Sequence, residues 1–410
     1  MALVQRYGKP DLFITITCNA NWPEIKSELA PGEVAQDRPD IVARIFRAKL
    51  LALKKEIMDN MIFGAVAALI YVIEFQKRGL PHAHFLIILK GESKLKCPAD
   101  YDKFVCAEIP SLDNPLLRKI VIRHMMHGPC GLLNPECSCM RKNGKTTSCK
   151  YGYPKQYSGE TTTNDEGYPT YRRRNTGERL KVRGAMLDNR WVIPYNPYLS
   201  LLFDCHVNVE VCSTIKAVKY LYKYVYKGHD KISYNVVPAD GDVVDEIQQY
   251  QSGRWVSPCE AAWRLFAFDL FEMHPPVLLL QVHLPNQQTL HLHSHERLNA
   301  VVANSKRHRT QLTEFFAMNA AVPGGLGYLY SEFCEHYTWD ASGKKWNKRS
   351  IDRFQVGRLA FVFPAEGERF YLRLLLLNIR SPTSFESLRT VNGVLCKIFK
   401  EAAVKLGLLE

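Results

Sequence analysis

The first ninety residues alternate short apolar runs with one long segment of helical periodicity. Residues 11–18, DLFITITC, are rich in apolar and β-branched side chains, which predicts a buried strand. Residues 40–61 carry apolar side chains three and four positions apart, which predicts a helix. Two further apolar runs, at 68–76 and 83–89, flank a turn signal at Gly79, so they are predicted to form an antiparallel hairpin.

The pattern changes several times along the rest of the chain. Residues 124–190 are rich in Cys, Gly, Pro, Asn and Thr and are predicted to form an irregular insert with little apolar content. Helical spacing returns at 213–227 and again at 258–271. Apolar runs at 277–283 and 369–377 are predicted to be strands. Helical patterns and apolar strands thus mix along the rest of the chain.

Composition and charge narrow the class of partner. The 410 residues include 54 Lys and Arg against 41 Asp and Glu, a net charge of +13, together with 20 Tyr and 19 Phe. Basic and aromatic side chains together suit phosphate neutralisation and base stacking, so a nucleic acid is one candidate partner; the alternative is that the chain is basic but binds nothing anionic. No apolar run is long enough to span a membrane and the start resembles no signal peptide, so we expect an intracellular protein without a membrane partner.

A pair of histidines opens the second strand of the predicted hairpin. Strand alternation places His82 and His84 on the same face, where they could hold one divalent ion together. On the preceding strand, Glu74 and Gln76 also share a face, and either side chain could supply a third ligand. Oxygen and imidazole ligands of this kind indicate Mg²⁺ or Mn²⁺, which would polarise a phosphate during phosphoryl transfer.

The predicted helix at 213–227 contains four tyrosines, two of which differ from the others in their surroundings. Tyr220 is followed three residues later by Lys223, and Tyr224 by Lys227. An ammonium group one helical turn away could lower the pKa of each phenol and contact a phosphate. We therefore predict Tyr220 and Tyr224 as catalytic nucleophiles, and not the other pair, Tyr222 and Tyr226.

Cysteines cluster in the insert in a way that indicates a metal site. Because the chain is expected to be intracellular, its twelve cysteines argue against a disulfide framework. His127 and Cys130 flank a tight turn, and Cys139 with Cys149 could complete a tetrahedral zinc site. The alternative is that these residues are ordinary reduced thiols.

Three segments together carry a resemblance to a known family. FITITC at 13–18, EFQKRGLPHAHFLI at 74–87 and KYLYKYVYKGHD at 219–230 resemble the three motifs of HUH endonucleases. More narrowly, their order and context resemble the N-terminal replication-initiator region of Helitron transposases, the Helitron helicase-like domain. The resemblance extends from about residue 8 to residue 409.

The resemblance implies a function and assigns roles to residues. It implies a rolling-circle transposon protein that nicks one DNA strand and transfers it, with a 5′ phosphotyrosine intermediate. The metal would be held by His82 and His84 with Glu74 or Gln76, and Tyr220 and Tyr224 would attack the DNA. No Walker A sequence is present, so unwinding would need a helicase supplied in trans. A protein of this kind would act in the nucleus.

The expected architecture is an HUH-like core with a central antiparallel sheet flanked by helices. Residues 1–95 would form its first part, 96–190 a Cys/His-rich insert, 191–240 the tyrosine helix that completes the core, and 241–410 a C-terminal α+β extension. A second function remains open, since a decayed or domesticated copy would only bind single-stranded DNA.

Overall fold

The computed structural model of the protein describes most of the chain, in two compact units. One unit spans Tyr7–Met273, and the other combines residues 1–6 with His274–Glu410. The described residues are 2–75, 79–143, 146–164, 168–212, 256–290 and 297–409. The predicted tyrosine helix and Gln76 lie outside these ranges.

The elements up to residue 274 include a large sheet and several short hairpins. The strands are β1 (Leu12–Thr17), β2 (Val66–Phe75), β3 (Pro81–Leu89), β4 (Met140–Asn143), β5 (Thr146–Cys149), β6 (Thr162–Thr163), β7 (Pro169–Thr170), β8 (Leu180–Val182), β9 (Ala185–Leu187), β10 (His206–Val211) and β11 (Phe271–His274). The helices are α1 (Ala2–Tyr7), α2 (Pro23–Lys26), α3 (Pro39–Met58), α4 (Pro98–Asp102), α5 (Pro115–His124), α6 (Pro197–Phe203) and α7 (Pro258–Leu265).

The large sheet has the His-x-His strand at its centre. Within the described residues its strand order is β10-β1-β3-β2-β11. Strand β1 runs antiparallel to both β10 and β3, and β2 runs antiparallel to β3. The predicted hairpin is therefore confirmed, and so is a central antiparallel sheet in a mixed α and β chain.

One face of this sheet is the apolar core of its unit. Ile14 and Ile16 of β1 and Phe85 of β3 are fully buried on this face. Helix α3 contributes the buried Phe46 to the same core, and α7 contributes Trp263. Each such side chain stabilises the fold by roughly 1.5–3 kcal/mol relative to exposure. The helix predicted at residues 40–61 is confirmed as α3, which ends three residues earlier.

The insert has an apolar core of its own. Helix α5 and the β8–β9 hairpin share a buried cluster that includes Leu117, Val121, Met125, Leu187 and Trp191. Helix α5 lies almost wholly before residues 124–190, the segment expected to have little apolar content, so the cluster joins apolar residues from outside that segment to Met125 and Leu187 within it.

The C-terminal unit is built from helices and small two-stranded sheets. Its helices are α8 (Leu298–Ala303), α9 (Gln311–Ala320), α10 (Phe333–His336), α11 (Glu368–Asn378), α12 (Phe385–Arg389) and α13 (Phe399–Lys405). Its strands are β12 (Val277–Leu280), β13 (Tyr337–Asp340), β14 (Lys345–Lys348), β15 (Val356–Leu359), β16 (Thr390–Val391) and β17 (Val394–Leu395). Strands β12 and β15 pair in parallel. Among the described residues, no helix is both long and apolar enough to cross a membrane.

Two predicted elements beyond residue 256 need correction. Residues 369–377 were expected to be a strand, yet they lie in helix α11, which buries Leu372, Leu375 and Leu376 at helical spacing. A continuous apolar run does not distinguish a buried helix from a buried strand. The helix predicted at 258–271 ends at Leu265, and Phe271 begins strand β11. The strand predicted at 277–283 is confirmed over its first four residues.

Candidate functional site

His82 and His84 lie on the sheet face opposite the apolar core, as strand alternation predicts. Their imidazole ring centroids are 4.5 Å apart, and the two rings are nearly perpendicular. His84 is buried and stacks on Phe13 of the neighbouring strand, with centroids 5.5 Å apart. The pair is thus fixed in the sheet and does not belong to a mobile loop.

Two threonines on β1 stand beside the two imidazoles. Thr15 pairs with His84 and Thr17 with His82 in the antiparallel register. The Thr15 hydroxyl lies 3.0 Å from His84 Nδ1, and the Thr17 hydroxyl lies 2.6 Å from His82 Nδ1. When Nδ1 carries the hydrogen and donates it to a threonine, Nε2 keeps the lone pair that a metal ion needs.

Glu74 is the acidic neighbour of the pair. It lies opposite His82 in the β2–β3 register, and its Oε2 is 3.6 Å from His84 Nε2. Its other oxygen, Oε1, is buried without a hydrogen-bond partner among the described residues. A buried, unpartnered carboxylate oxygen beside two imidazole nitrogens matches the ligand set of a divalent cation.

The remaining predicted catalytic residues cannot be placed relative to this pair. Gln76 lies outside the described residues, as do Tyr220, Tyr224, Lys223 and Lys227. The structure therefore brings together His82, His84 and Glu74.

The local environment keeps His82 and His206 neutral. Burial, with smaller effects from His84 and His206, lowers the pKa of His82 to about 3. Burial, with a smaller effect from His124, also lowers the pKa of His206 to about 4. A neutral imidazole is the form that binds a metal ion, so these shifts favour metal binding at neutral pH.

The histidine pair forms part of the floor of a groove of about 1350 Å³. The floor also includes polar side chains from β1 and β10, namely Thr15, Thr17, His206, Asn208 and Glu210. The sequence analysis did not predict these residues as part of the site. The alternation in FITITC and HVNVEV could have identified them, because every second residue of each strand faces away from the apolar core. Side chains of the insert also line the groove.

A second metal-ligand group lies in the insert. Nε2 of His127 is 3.6 Å from the sulfur of Cys130 and 3.6 Å from that of Cys149. Together with Cys139, these residues place four ligand atoms within 4.8 Å of one another. In the described part of the chain, no other group of three His, Cys, Asp or Glu residues is as compact. The group of His82, His84 and Glu74 is also less compact than this one. We call these four residues the Cys/His cluster.

The geometry of the Cys/His cluster fits zinc, as do the pKa shifts of His127 and Cys149, whereas burial raises the pKa values of Cys130 and Cys139. Tetrahedral ligands at the usual Zn–S and Zn–N distances lie about 3.5 Å apart, close to the spacing observed. Burial, followed by the charge of Arg183, lowers the pKa of His127 to about 4. Burial alone would raise the pKa of Cys149, but backbone N–H groups of Tyr153 and Tyr151 reverse the shift and lower it. Neutral imidazole and thiolate are the forms that bind zinc.

The cluster is formed by three separate segments. His127 and Cys130 follow α5 directly, and the β4–β5 hairpin pairs Cys149 with Met140, the neighbour of Cys139. His127 is stacked on Tyr153, with ring centroids 4.2 Å apart. The four residues expected from the sequence to bind zinc are therefore brought together, and Cys137 stays outside the group.

Comparison with known families adds an independent observation. Residues 1–87 match the family model described as the Helitron helicase-like domain at the N-terminus. The matched residues contain β1, β2 and most of β3, so both histidines and Glu74 lie within the matched region. For residues 1–87, the resemblance to the Helitron helicase-like domain that was seen in the sequence is confirmed. A search of curated proteins gave no match.

Proposed function

We propose that the protein is a metal-dependent endonuclease and strand transferase that acts on single-stranded DNA of a rolling-circle transposon. The observation that supports this most is the placement of His82, His84 and Glu74 on the polar face of the central sheet, at the floor of a groove. These three residues lie in the region that matches the Helitron helicase-like domain. We also propose that the sheet and its flanking helices form an HUH endonuclease-like core.

Three side chains would hold the catalytic ion. His82 and His84 would bind Mg²⁺ or Mn²⁺ through Nε2, and Glu74 would bind through the oxygen that lacks a partner. Such an ion, when bound, polarises the scissile phosphate and offsets the negative charge that develops on it. Thr15 and Thr17 would orient the imidazoles by accepting their Nδ1 hydrogens.

Tyrosine would supply the nucleophile. We assign this role to Tyr220 and Tyr224, each with a lysine three residues later, Lys223 and Lys227. The phenolic oxygen would form a bond to phosphorus as the bond from phosphorus to the 3′ oxygen breaks. The phenol loses its proton in this step and the 3′ oxygen gains one, which leaves a 5′ phosphotyrosine and a free 3′ hydroxyl. A second tyrosine would allow strand transfer.

The Cys/His cluster would bind a structural zinc ion. Four protein ligands fill a tetrahedral coordination sphere and leave no position for water or substrate, which is typical of structural sites. The cluster would therefore stabilise the insert and would take no direct part in phosphoryl transfer.

The proposed activity has consequences for partners and location. The substrate would be single-stranded DNA in the nucleus, and a helicase supplied in trans would unwind duplex DNA. The other reading of the sequence is a decayed or domesticated copy that binds single strands without cutting them. Measurement of DNA cleavage distinguishes an active nuclease from a protein that only binds single strands.

The test of the metal site is a nicking assay on end-labelled single-stranded DNA with Mn²⁺. We expect cleavage by the wild-type protein, loss of cleavage in His82→Ala/His84→Ala, and DNA affinity within about twofold of wild type in that variant, because phosphate contacts dominate affinity. His336→Ala is the control, since it removes a histidine that does not line the groove and should leave cleavage unchanged. Cleavage that survives in the double variant would overturn the proposed metal site.

The test of the nucleophiles is mapping of the covalent adduct. Phenylalanine at both Tyr220 and Tyr224 should remove protein–DNA adducts, because the substitution deletes only the hydroxyls. Phenylalanine at Tyr222 and Tyr226 is the matched control and should leave adduct formation near wild type. DNA attached to Tyr222 or Tyr226 would show that the lysine argument is wrong.

A further inference from the structure

We infer that the insert forms one wall of the binding groove for single-stranded DNA, so that the strand passes beside the Cys/His cluster on its way to His82 and His84. This inference rests on the proposed function. It adds a path for the substrate and gives the insert a role in binding. All residues on which it depends lie in the unit Tyr7–Met273.

The size of the groove favours a polymer over a small molecule. Its volume of about 1350 Å³ exceeds the roughly 300–1,000 Å³ typical of small-molecule sites. The histidine pair lies at its floor, and His127 of the Cys/His cluster also lines it. One continuous cavity therefore connects the two candidate metal sites.

The wall formed by the insert is basic. Arg123, near the end of α5, and Arg183, in the turn between β8 and β9, both line the groove and are exposed. A Cβ atom at position 128 would lie 2.9 Å from a terminal nitrogen of Arg183, so Gly128 leaves room for the guanidinium beside the cluster. Lys155 adds a third cation to the lining. Cations along one wall suit a phosphate backbone.

The same wall carries aromatic rings that nucleobases could stack on. Tyr151, adjacent in sequence to the β4–β5 hairpin, is 53% exposed and lines the groove. Its ring lies 5.9 Å from the imidazole of His127. Tyr168 also lines the groove and is 40% exposed. Exposed rings interleaved with cations are typical of grooves that bind single strands without reading a sequence.

Polar atoms on the floor also require partners. Nδ1 of His206 and Oδ1 of Asn208 are buried and have no hydrogen-bond partner in the part of the chain that the structure describes. Both side chains line the groove. Burial of a polar atom without a partner destabilises the protein, and a polar ligand that bonds to it would offset that cost. The floor and the wall together therefore suit a ligand with phosphates, bases and hydrogen-bonding groups.

The chain offers a closely matched pair of double variants for a test. Arg123→Gln/Arg183→Gln removes two charges from the wall of the groove. Lys119→Gln/Lys181→Gln removes two charges from the same elements, since Lys119 lies one turn before Arg123 on α5 and Lys181 lies on the β8–β9 hairpin. Neither lysine lines the groove, and both are exposed.

Binding of a fluorescent single-stranded oligonucleotide to the full chain would be measured at several salt concentrations, without added Mn²⁺ or Mg²⁺. We expect the arginine variant to bind roughly tenfold more weakly and its slope of log K against log salt to fall by about 1.4, or about 0.7 for each phosphate contact. The lysine variant should stay within about twofold of wild type. Equal losses in the two variants, or no loss in the arginine variant, would overturn the inference.

A second comparison tests base stacking. Tyr151→Ala should weaken binding roughly fivefold or more, and Tyr151→Phe should restore it, because the ring and not the hydroxyl stacks on a base. Tyr157→Ala is the control, since Tyr157 is an exposed tyrosine of the insert that does not line the groove. Unchanged binding of Tyr151→Ala would count against the path.

These measurements are separable from the proposed nuclease activity. If the protein never cleaves DNA but the arginine variant binds DNA weakly, the role of the insert in DNA binding is supported and the nuclease proposal is wrong. If the wild-type protein cleaves DNA and the arginine variant binds DNA like wild type, the proposed path along the insert is wrong and the nuclease proposal is unaffected.

Discussion

The two histidine-containing groups differ in how completely the protein surrounds them. The Cys/His cluster has four ligand atoms within 4.8 Å of one another, and its three cysteines are buried. The group on the sheet offers two imidazoles and one carboxylate, and it opens onto a large groove. A closed set of four ligands is typical of structural zinc, whereas an open set leaves coordination positions for substrate.

The two groups also differ in what fixes their ligands. On the sheet, neighbouring strands hold each imidazole in register, with a threonine beside each Nδ1. In the Cys/His cluster, three chain segments meet, and no single element would hold the ligands in place without the others. Loss of a ligand should therefore affect folding at the cluster and chemistry at the sheet.

The largest expected effect is on stability at the Cys/His cluster. Cys149→Ser should abolish stoichiometric zinc binding and lower the free energy of unfolding by about 3 kcal/mol or more, because structural zinc contributes about 10–16 kcal/mol of apparent binding energy in small zinc domains. Zinc content by mass spectrometry and thermal unfolding would measure both. Cys137→Ser is the control, because the Cys137 sulfur lies 3.5 Å from that of Cys139 but outside the cluster. Stoichiometric zinc retained in Cys149→Ser would refute the assignment.

The second-largest expected effect is on catalysis by the metal site on the sheet. Glu74→Ala should reduce Mn²⁺-dependent cleavage roughly hundredfold or more without a fall in melting temperature, since a metal ion contributes several kcal/mol to phosphate activation. Gln76→Ala provides the comparison, because the sequence allows either side chain as the third ligand. A larger loss of cleavage in Gln76→Ala than in Glu74→Ala would transfer the role to Gln76.

A smaller effect should come from the threonines beside the imidazoles. Thr15→Val/Thr17→Val removes the two hydroxyls and keeps the β-branched shape, so the sheet should remain intact. We expect a loss of about 10–100-fold in Mn²⁺ affinity or cleavage, the usual effect of removing groups that orient metal-binding histidines. Thr15→Ser/Thr17→Ser should recover most of it. A valine variant with wild-type Mn²⁺ dependence would mean that the threonines are only structural.

The smallest effect distinguishes the two metals directly. Adding Mn²⁺ to the zinc-loaded protein at ten times its dissociation constant should raise the free energy of unfolding by about 1.4 kcal/mol. His82→Ala/His84→Ala should lose this increase and keep its zinc. If Mn²⁺ stabilises the double variant as much as wild type, the ion binds elsewhere.

The sequence by itself determined the features that depend on neighbouring residues. Strand alternation placed His82 and His84 on one face, and helical spacing predicted α3 almost to its ends. The short spacing between His127 and Cys130 indicated, without knowledge of the fold, that both residues could bind one metal ion. These features could be predicted because periodicity and short loops are local properties of the chain.

Tertiary structure decided the features that join distant segments. Thr15 and Thr17 became neighbours of the histidines only when β1 paired with β3, more than sixty residues later. Pairing of β10 with β1 added His206, Asn208 and Glu210 to the same face. Residues 369–377 became a helix and not a strand because of what they pack against. Alternation shows which face a residue occupies, but which strand lies beside it depends on long-range pairing that no local pattern encodes.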